Sequence, residues 1–184
     1  CKQAGNPDRV FMFASTSKIS FAGAGLAIMA GSQSNLNWIK NQMAFQTIGP
    51  DKLNQLRHVL FFKNMAGIEA HMQQHAEILK PKFDAVQNVL EAELDGKHIA
   101  RWSRPQGGYF VSIDTLEGCA TAVIKMAADA GVKLTPAGST YPYKKDPMDQ
   151  NIRIAPSFPP LEDIQAAMEL VAICIQRVSL DKLF

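Results

Sequence analysis

The sequence predicts a mixed α/β protein, in which the end of a large α/β domain is joined by a long helix to a small α+β domain. Three observations predict this arrangement. Two short apolar runs flank a segment rich in serine and glycine near the start, a helical pattern occupies residues 68–94, and short strands alternate with helices after Gly96. The predicted boundaries are 1–50 for the end of the large domain, 51–95 for the interdomain helices and 96–184 for the small domain.

Residues 1–67 should contain two strands and two helices. Residues 10–14 and 25–30 are apolar and predict two buried strands, with Lys18 in the connection between them. Ser32 or Ser34 can cap a helix that runs to about residue 45, because a serine hydroxyl accepts a hydrogen bond from a free amide at a helix start. A second helix is expected over residues 51–66, ended by Gly67, with one apolar face made by Leu53, Leu56 and Leu60.

The later elements are a connector and a small domain. The helix over residues 68–94 should be kinked at Pro81, because proline removes one backbone hydrogen bond and clashes with the preceding turn. A kinked helix of this length suits a connection between two domains. The small domain should then contain a hairpin (99–104 and 108–114), a helix (119–130) ended by Gly131, two strands (132–135 and 151–155) and a last helix from Pro160 to about residue 178.

Composition and charge exclude several classes of protein. The 184 residues are 47% hydrophobic, which is enough for a substantial core, and the net charge of +2 is too small to indicate a nucleic-acid or membrane-surface partner. The longest apolar stretch, residues 21–31, is too short and too rich in glycine to cross a bilayer. Three widely spaced cysteines fit reduced thiols better than a disulfide framework, so we expect a cytoplasmic protein.

Lys18 is the most informative residue, because it follows an apolar strand in the run Ser15-Thr16-Ser17-Lys18. A lysine at the end of a buried strand is expected to do chemistry or to meet an anion. Hydroxyl groups and backbone amides beside it suit a phosphate. An amine next to a phosphate cradle is what an enzyme needs to hold pyridoxal 5'-phosphate covalently. The alternative is an ordinary surface loop in which the lysine is solvated.

Arg153 is the second candidate, because it stands in the short apolar run that begins at Asn151 and ends in prolines. A buried guanidinium without a partner is costly, so a partner is expected. Its planar fork matches a carboxylate through two parallel hydrogen bonds. That carboxylate could belong to a substrate or to an internal Asp or Glu, and the sequence leaves both open.

Four segments, taken in order, resemble the C-terminal half of a fold-type I aminotransferase that depends on pyridoxal phosphate (PLP), so the chain should hold the C-terminal part of a PLP-transferase fold. They are Ser-x-Ser-Lys at Lys18, Pro-x-Gly-Gly-Tyr-Phe from Pro105, Thr-Pro-x-Gly from Thr135, and Asn-x-Arg-x-x-x-Ser-x-Pro from Asn151. The longer phrases at residues 15–25 and 48–58 look like the bacterial aspartate aminotransferase subgroup that lies close to the MocR-type proteins. The resemblance covers nearly the whole chain, from about Arg9 onward.

This resemblance implies a role for each site residue. Lys18 would be the catalytic lysine that forms the Schiff base, Ser15 and Ser17 would bind the cofactor phosphate, and Arg153 with Asn151 would bind the substrate. The reaction would transfer an amino group between aspartate, or a similar amino acid, and 2-oxoglutarate. Leu26 is a departure, because most of the family carries a phosphate-binding arginine at this position, eight residues after the lysine.

The resemblance also implies features of the whole protein. A homodimer is expected, in which residues 48–50 and Asn54 reach the partner's site. Because the family's N-terminal half supplies the remaining cofactor contacts, the chain alone should be inactive. Two other functions stay open: the ligand-sensing domain of a MocR-type transcription regulator, and a PLP enzyme of another reaction type such as a β-lyase or decarboxylase. No metal site is expected, since His71 and His75 lack a third ligand and should form a solvated helix face.

Overall fold

The computed structural model describes residues 1–184, which form two compact units, Cys1–His75 and Ala76–Phe184. The fold is mixed α/β, as predicted. None of its helices combines the length and the apolar character that crossing a bilayer requires. The division of the sequence into three parts stays a prediction.

A two-stranded antiparallel sheet opens the first unit. Strand β1 (Phe11–Ser15) pairs with β2 (Ala27–Gly31), so Lys18 lies in the connection between the strands, as predicted. The predicted burial of both strands is wrong. All five residues of β1 are exposed, with Phe13 at 73%, and no residue of β2 is buried. The physical reason is that this sheet has only two strands, which leaves its faces largely uncovered.

Helix α1 (Gln33–Gln46) begins where the sequence predicted. The Ser32 hydroxyl accepts a hydrogen bond of 3.2 Å from the backbone amide of Asn35 and so caps the first turn. Helix α2 (Lys52–Phe62) is capped in the same way, with the Asp51 carboxylate accepting from the amide of Asn54 at 3.0 Å.

The predicted end of α2 at Gly67 is wrong. The helix ends at Phe62, and Lys63 takes a positive φ of 61°. Asn64 then starts the next helix, because its side-chain oxygen accepts the amide hydrogen of Gly67 at 3.1 Å. Gly67 is needed for a different reason: the carbonyl group of Phe62 occupies the place of a β-carbon at this position.

The buried face of α2 is also not the predicted one. The leucine face is solvent-facing, with Leu53, Leu56 and Leu60 each at least half exposed. Asn54, His58 and Phe62, spaced four residues apart on another face, are the residues that the unit covers instead. Phe62 belongs to an aromatic cluster formed by Phe21, His58, Phe61, His71 and His75. The predicted solvated face at His71 and His75 is therefore replaced by half-buried rings in contact.

Helix α3 (Met65–Leu94) runs with Pro81 inside it, and the division between the two units falls within this helix. The second unit contains a three-stranded antiparallel sheet in the order β3 (Ala100–Trp102), β4 (Val111–Thr115) and β5 (Asn151–Ile154). Helices α4 (Ala120–Asp129) and α5 (Leu161–Leu183) complete it. Its core is built from completely or almost completely buried side chains of both helices, the sheet and the end of α3: Val86, Leu90, Val111, Ile113, Val123, Ile152, Val171 and Ile175.

Two boundaries in the second unit differ from prediction. Residues 132–135 form no strand, because the amide of Val132 bonds to the carbonyl of Ala127 at 2.8 Å and so closes α4 instead of pairing with a strand. Helix α5 continues past residue 178 to Leu183, and Val178 and Ser179 are still buried there. The local signals thus predicted the last helix but not its end, and they predicted a strand that does not form.

Candidate active-site residues of the two units

Lys18 lies in a turn formed by residues 16–20, which we call the lysine turn. The carbonyl of Thr16 accepts hydrogen bonds of 2.9 Å from the amides of both Ile19 and Ser20. The two ends of the connection are held together by Leu26, whose carbonyl accepts from the Thr16 amide and whose amide donates to the Thr16 hydroxyl, both at 2.8 Å. Lys18 itself is exposed in the described chain and is presented by a turn of defined backbone geometry.

Ser15 and Ser17 converge beside this lysine. Their hydroxyl oxygens are in direct contact, and the amide of Ser17 donates to the Ser15 hydroxyl at 3.2 Å. Gly25 passes close to them, since a β-carbon at position 25 would lie 2.9 Å from the α-carbon of Ser17. The structure thus brings the hydroxyls of Ser15 and Ser17 together, next to Lys18 in the chain. Paired hydroxyl groups of this kind are suited to a phosphate.

Leu26, which stands where most of the resembled family has an arginine, takes part through its backbone. Both of its peptide groups pair with Thr16, as described above, and its side chain is half-buried. Leu26 therefore closes the base of the lysine turn by pairing with Thr16, and it contributes no charge to the turn.

Arg153 lies on β5, opposite Ser112 of β4. Its guanidinium carbon is 4.5 Å from the ring centroid of Phe110, a cation–π contact that supports the group from one side. The Nε atom is buried and has no hydrogen-bond partner. None of the ion pairs involves Arg153; they are Lys80–Asp84, Arg101–Asp114, Arg104–Glu91 and Arg177–Asp181. The internal salt bridge that the sequence left open is not formed, so the guanidinium can receive a carboxylate from elsewhere.

Asn151, two residues before Arg153, is 9% exposed and its amide group is fully engaged. It donates to the Ser112 hydroxyl at 2.8 Å and to the Asp114 carboxylate at 2.7 Å, and accepts from the Thr140 hydroxyl at 2.7 Å. Both amide hydrogens are used within the unit. The structure thus gives Asn151 a role in fixing β5 against β4, and its predicted contact with a substrate stays a prediction.

Asp146 organises the loop that leads into β5. Its carboxylate accepts backbone hydrogen bonds from Met148 at 3.0 Å, Gln150 at 2.9 Å and Asn151 at 2.8 Å. Partial desolvation opposes ionisation of Asp146, but these backbone amides outweigh it and hold the pKa of the carboxyl below its ordinary value. An ionised Asp146 therefore fixes the start of the strand that carries Arg153.

Sequence reasoning gave no role to His58, which the structure places against the lysine turn. The ring Nε2 atom lies 2.9 Å from the hydroxyl of Ser20, and the side chain is 7% exposed. The available signal was the spacing of Asn54 and His58, which are one helical turn apart, but the leucines of the same helix dominated the pattern. No group of three or more His, Cys, Asp or Glu side chains could hold a metal ion.

Comparisons with known proteins match the whole chain to one family. The family model described as aspartate amino-transferase matches residues 1–184. A Mycolicibacterium smegmatis protein with a provisional aminotransferase name is 49% identical over 93% of this chain. An aspartate aminotransferase of Corynebacterium glutamicum is 44% identical over 94% of it. The chain spans 40% of the length of each of these two relatives.

Solved structures agree with this match. A crystal structure of an aspartate transaminase from Corynebacterium glutamicum has a TM-score of 0.96 and 42% identity, covering 100% of this chain and 43% of the other. A weaker sequence match is an HTH-type transcriptional regulator of Bacillus subtilis, 29% identical over 59% of this chain and 22% of that protein.

Proposed function

The chain belongs to the aspartate amino-transferase family, and we propose that it is the part of a pyridoxal-5'-phosphate-dependent aminotransferase that carries the reactive lysine and the substrate-binding arginine. The observation that carries this proposal is the contact between the hydroxyls of Ser15 and Ser17 at the start of the lysine turn, next to Lys18 in the chain. Because the chain covers less than half of its relatives, the activity is proposed for the whole protein.

The residues of the lysine turn fit the cofactor. Ser15 and Ser17 would hold its phosphate with their hydroxyls and with backbone amides of the turn, and the amine of Lys18 would hold its aldehyde carbon covalently. When bound, pyridoxal 5'-phosphate supplies an electron sink for the α-carbon of the substrate. With Leu26 in place of an arginine, phosphate binding depends on hydroxyls and amides whose positions are fixed by the Thr16–Leu26 pairing.

Arg153 and Lys18 would divide the handling of the substrate. The guanidinium of Arg153 would bind the α-carboxylate through two parallel hydrogen bonds, which fixes the direction of the α C–H bond. The buried Nε atom without a partner and the support from Phe110 are what favour this role. The amine of Lys18 would take the proton from the α-carbon and return it to the other reacting carbon.

We propose aspartate, or a similar amino acid, as amino donor and 2-oxoglutarate as acceptor. The support is the 44% identity to an aspartate aminotransferase over nearly the whole chain. We also propose a homodimer in the cytoplasm. An arginine for a distal substrate carboxylate is not assigned, because Arg101 and Arg104 are exposed and already pair with Asp114 and Glu91.

The test uses the intact protein with aspartate and 2-oxoglutarate. Glutamate should form, and Lys18→Ala should abolish both glutamate formation and the visible absorbance of the covalently held cofactor. Arg153→Lys keeps the charge but loses the fork, so KM for the amino acid should rise about 10- to 100-fold, the effect of losing a hydrogen bond to a charged group. Lys145→Ala, at an exposed lysine, is the matched control. Retention of the covalent cofactor by the Lys18 variant would reject the proposal.

The ligand-sensing domain of a MocR-type regulator is a second candidate, because a transcriptional regulator matches 59% of the chain. The weaker identity and shorter coverage make it less favoured than the enzyme. A regulator would bind cofactor and amino acid without sustained turnover. A β-lyase or decarboxylase would consume the amino acid without making glutamate, so product analysis separates all three.

A further inference from the structure

We propose that helix α2 positions Lys18 through two polar side chains, Asn54 and His58, and that these are positioning residues for the proposed reaction. The inference rests on the proposed function only in assigning the reactive amine to Lys18. The contacts that carry it all lie within the first unit, so they can be examined independently of the chemistry.

The two side chains form hydrogen bonds to the part of the β1–β2 connection that follows Lys18. Asn54 donates from its side-chain nitrogen to the carbonyl of Ala24 at 2.9 Å. His58, one helical turn later, meets the hydroxyl of Ser20 at 2.9 Å. Ser20 follows Lys18 by two residues, and Ala24 belongs to the glycine-rich return toward β2. The same helix face thus fixes the chain at two points after the lysine.

The partners of the two ring nitrogen atoms of His58 define which of them donates a hydrogen bond and which accepts one. Ring atom Nδ1 lies 2.8 Å from the backbone carbonyl of Asn54, and because a carbonyl only accepts, Nδ1 must carry a hydrogen. In the neutral ring Nε2 is then an acceptor, and the Ser20 hydroxyl donates to it. This assignment follows from the partners of the two ring nitrogen atoms.

The hydrogen bonds continue from His58 through Ser20 to Thr16, which closes the base of the lysine turn. The hydroxyls of Ser20 and Thr16 are 2.8 Å apart, and Thr16 also accepts the amide hydrogen of Leu26. Since either hydroxyl of the pair can donate, the chain of bonds also accommodates a charged His58 that donates to Ser20. Helix α2 is therefore connected through hydrogen bonds to the residues that close the turn carrying Lys18.

Aromatic packing supports the same segment. Phe21 follows Ser20 and places its ring edge-on to His58 with 4.9 Å between centroids, while stacking on Phe62 at 5.6 Å. Helix α2 leaves its leucines exposed and covers Asn54 and His58, which is the reverse of the usual preference for burying apolar side chains. The contacts of these polar groups with the turn provide a physical reason for their position.

The test compares two substitutions of His58 in the intact, cofactor-free protein. His58→Phe keeps an aromatic ring but removes both nitrogen atoms, whereas His58→Gln keeps a polar group that can reach Ser20. We expect His58→Phe to slow covalent capture of added pyridoxal 5'-phosphate at least about tenfold, in line with the cost of misplacing a reacting group, and His58→Gln to restore most of the rate. In the steady state kcat should fall while KM for the amino acid changes less than about twofold.

His75→Phe is the matched control, because His75 is a half-buried histidine of the same aromatic cluster whose ring contacts His71. It should leave the capture rate unchanged. A capture rate for His58→Phe equal to that of the unaltered protein, or a His58→Gln variant as slow as His58→Phe, would overturn the proposal. If His58→Phe does not fold, Ser20→Ala removes the same hydrogen bond from the other side.

A measurement without cofactor separates this inference from the proposed function. Amide hydrogen exchange at Ile19 and Ser20 should be about fivefold faster in His58→Phe, the effect of one lost hydrogen bond. Unchanged exchange would overturn the positioning role. If the unaltered protein does not capture the cofactor but exchange is faster in the variant, the role proposed for Lys18 is rejected. The hydrogen-bonded connection between α2 and the lysine turn is then still supported.

Discussion

Replacing Asn151 with aspartate would change the chemistry of a buried side chain while keeping its shape. In the structure the side-chain nitrogen donates to the carboxylate of Asp114 at 2.7 Å and to the hydroxyl of Ser112 at 2.8 Å. In Asn151→Asp an oxygen replaces this nitrogen, so a second carboxylate faces Asp114. The hydroxyl of Ser112 can turn and donate instead, which leaves charge repulsion as the main effect.

The magnitude follows from the separation of the two charges. Two carboxylates about 4 Å apart at an effective dielectric of about 20 repel by about 4 kcal/mol. Uptake of a proton by the pair limits the cost, so we expect a loss of about 3 kcal/mol in the local stability of β4 and β5 at neutral pH. Repulsion raises the pKa of the new carboxyl group above its unfolded value of about 3.9. The penalty is therefore absent below about pH 4 and grows as the pH rises toward the folded-state pKa.

Amide hydrogen exchange in the β4–β5 ladder measures this effect, with Ile113 and Ile152 as reporters from directly paired positions. Asn151→Ala should also lose protection, by about 2 kcal/mol, but to the same extent at both ends of the pH range. Asn88→Asp introduces the same charge at an exposed position of α3 and should have little effect. If Asn151→Asp keeps normal protection at neutral pH, or loses as much at about pH 4 as at pH 7, the reasoning about this network is wrong.

Two further predictions concern the supports of the two site segments. Asp146→Asn should lower local stability at Gln150 by about 1–2 kcal/mol at neutral pH, because a neutral amide accepts fewer of the three backbone hydrogen bonds. Folding lowers the pKa of Asp146, so the stability that its carboxylate contributes is present above the unfolded pKa of about 3.9 and is lost as the pH falls toward the folded value. Equal amide exchange in Asp146→Asn and the unaltered protein at neutral pH would contradict this prediction. Gly25→Ala places a β-carbon 2.9 Å from the α-carbon of Ser17 and should weaken phosphate binding by about tenfold in a titration of the intact protein. Gly31→Ala meets only ordinary contacts, the nearest at 3.5 Å from the carbonyl oxygen of Val10, and should bind phosphate normally. An equal affinity of both variants would contradict the prediction.

The elements that could be predicted from the sequence are those specified by local signals. Ser32 caps α1 because its hydroxyl needs only an amide three residues away. The strand pair with Lys18 in its connection follows from two apolar runs that flank a segment of small residues. The motif around Ser15, Ser17 and Lys18 consists of adjacent residues, and the structure places the hydroxyls of Ser15 and Ser17 in contact.

The errors came where a contact distant in sequence decided the outcome. The leucines of α2 predicted its buried face, yet the unit covers Asn54 and His58, because their partners Ala24 and Ser20 lie 30 and 38 residues earlier. The end of α2 was assigned to Gly67 from its residue type alone. The Asn64 side chain, an equally local signal, begins the next helix three residues before that glycine.

The polar residues around β5 have their hydrogen-bond partners within the unit, whereas the Nε atom of Arg153 has none. Asp146 and Asn151 each satisfy their hydrogen-bonding groups within the unit, and Asp149 accepts from both the amide and the hydroxyl of Thr121. Arg153 follows on the same strand with a buried Nε atom that has no partner and with Phe110 beneath its guanidinium. The hydrogen bonds of Asp146 and Asn151 hold the start of β5 and make this strand rigid, since each bond restrains its neighbours. A rigid strand that presents one incompletely paired guanidinium is what the binding of an external carboxylate requires, because little ordering is left for the moment of binding.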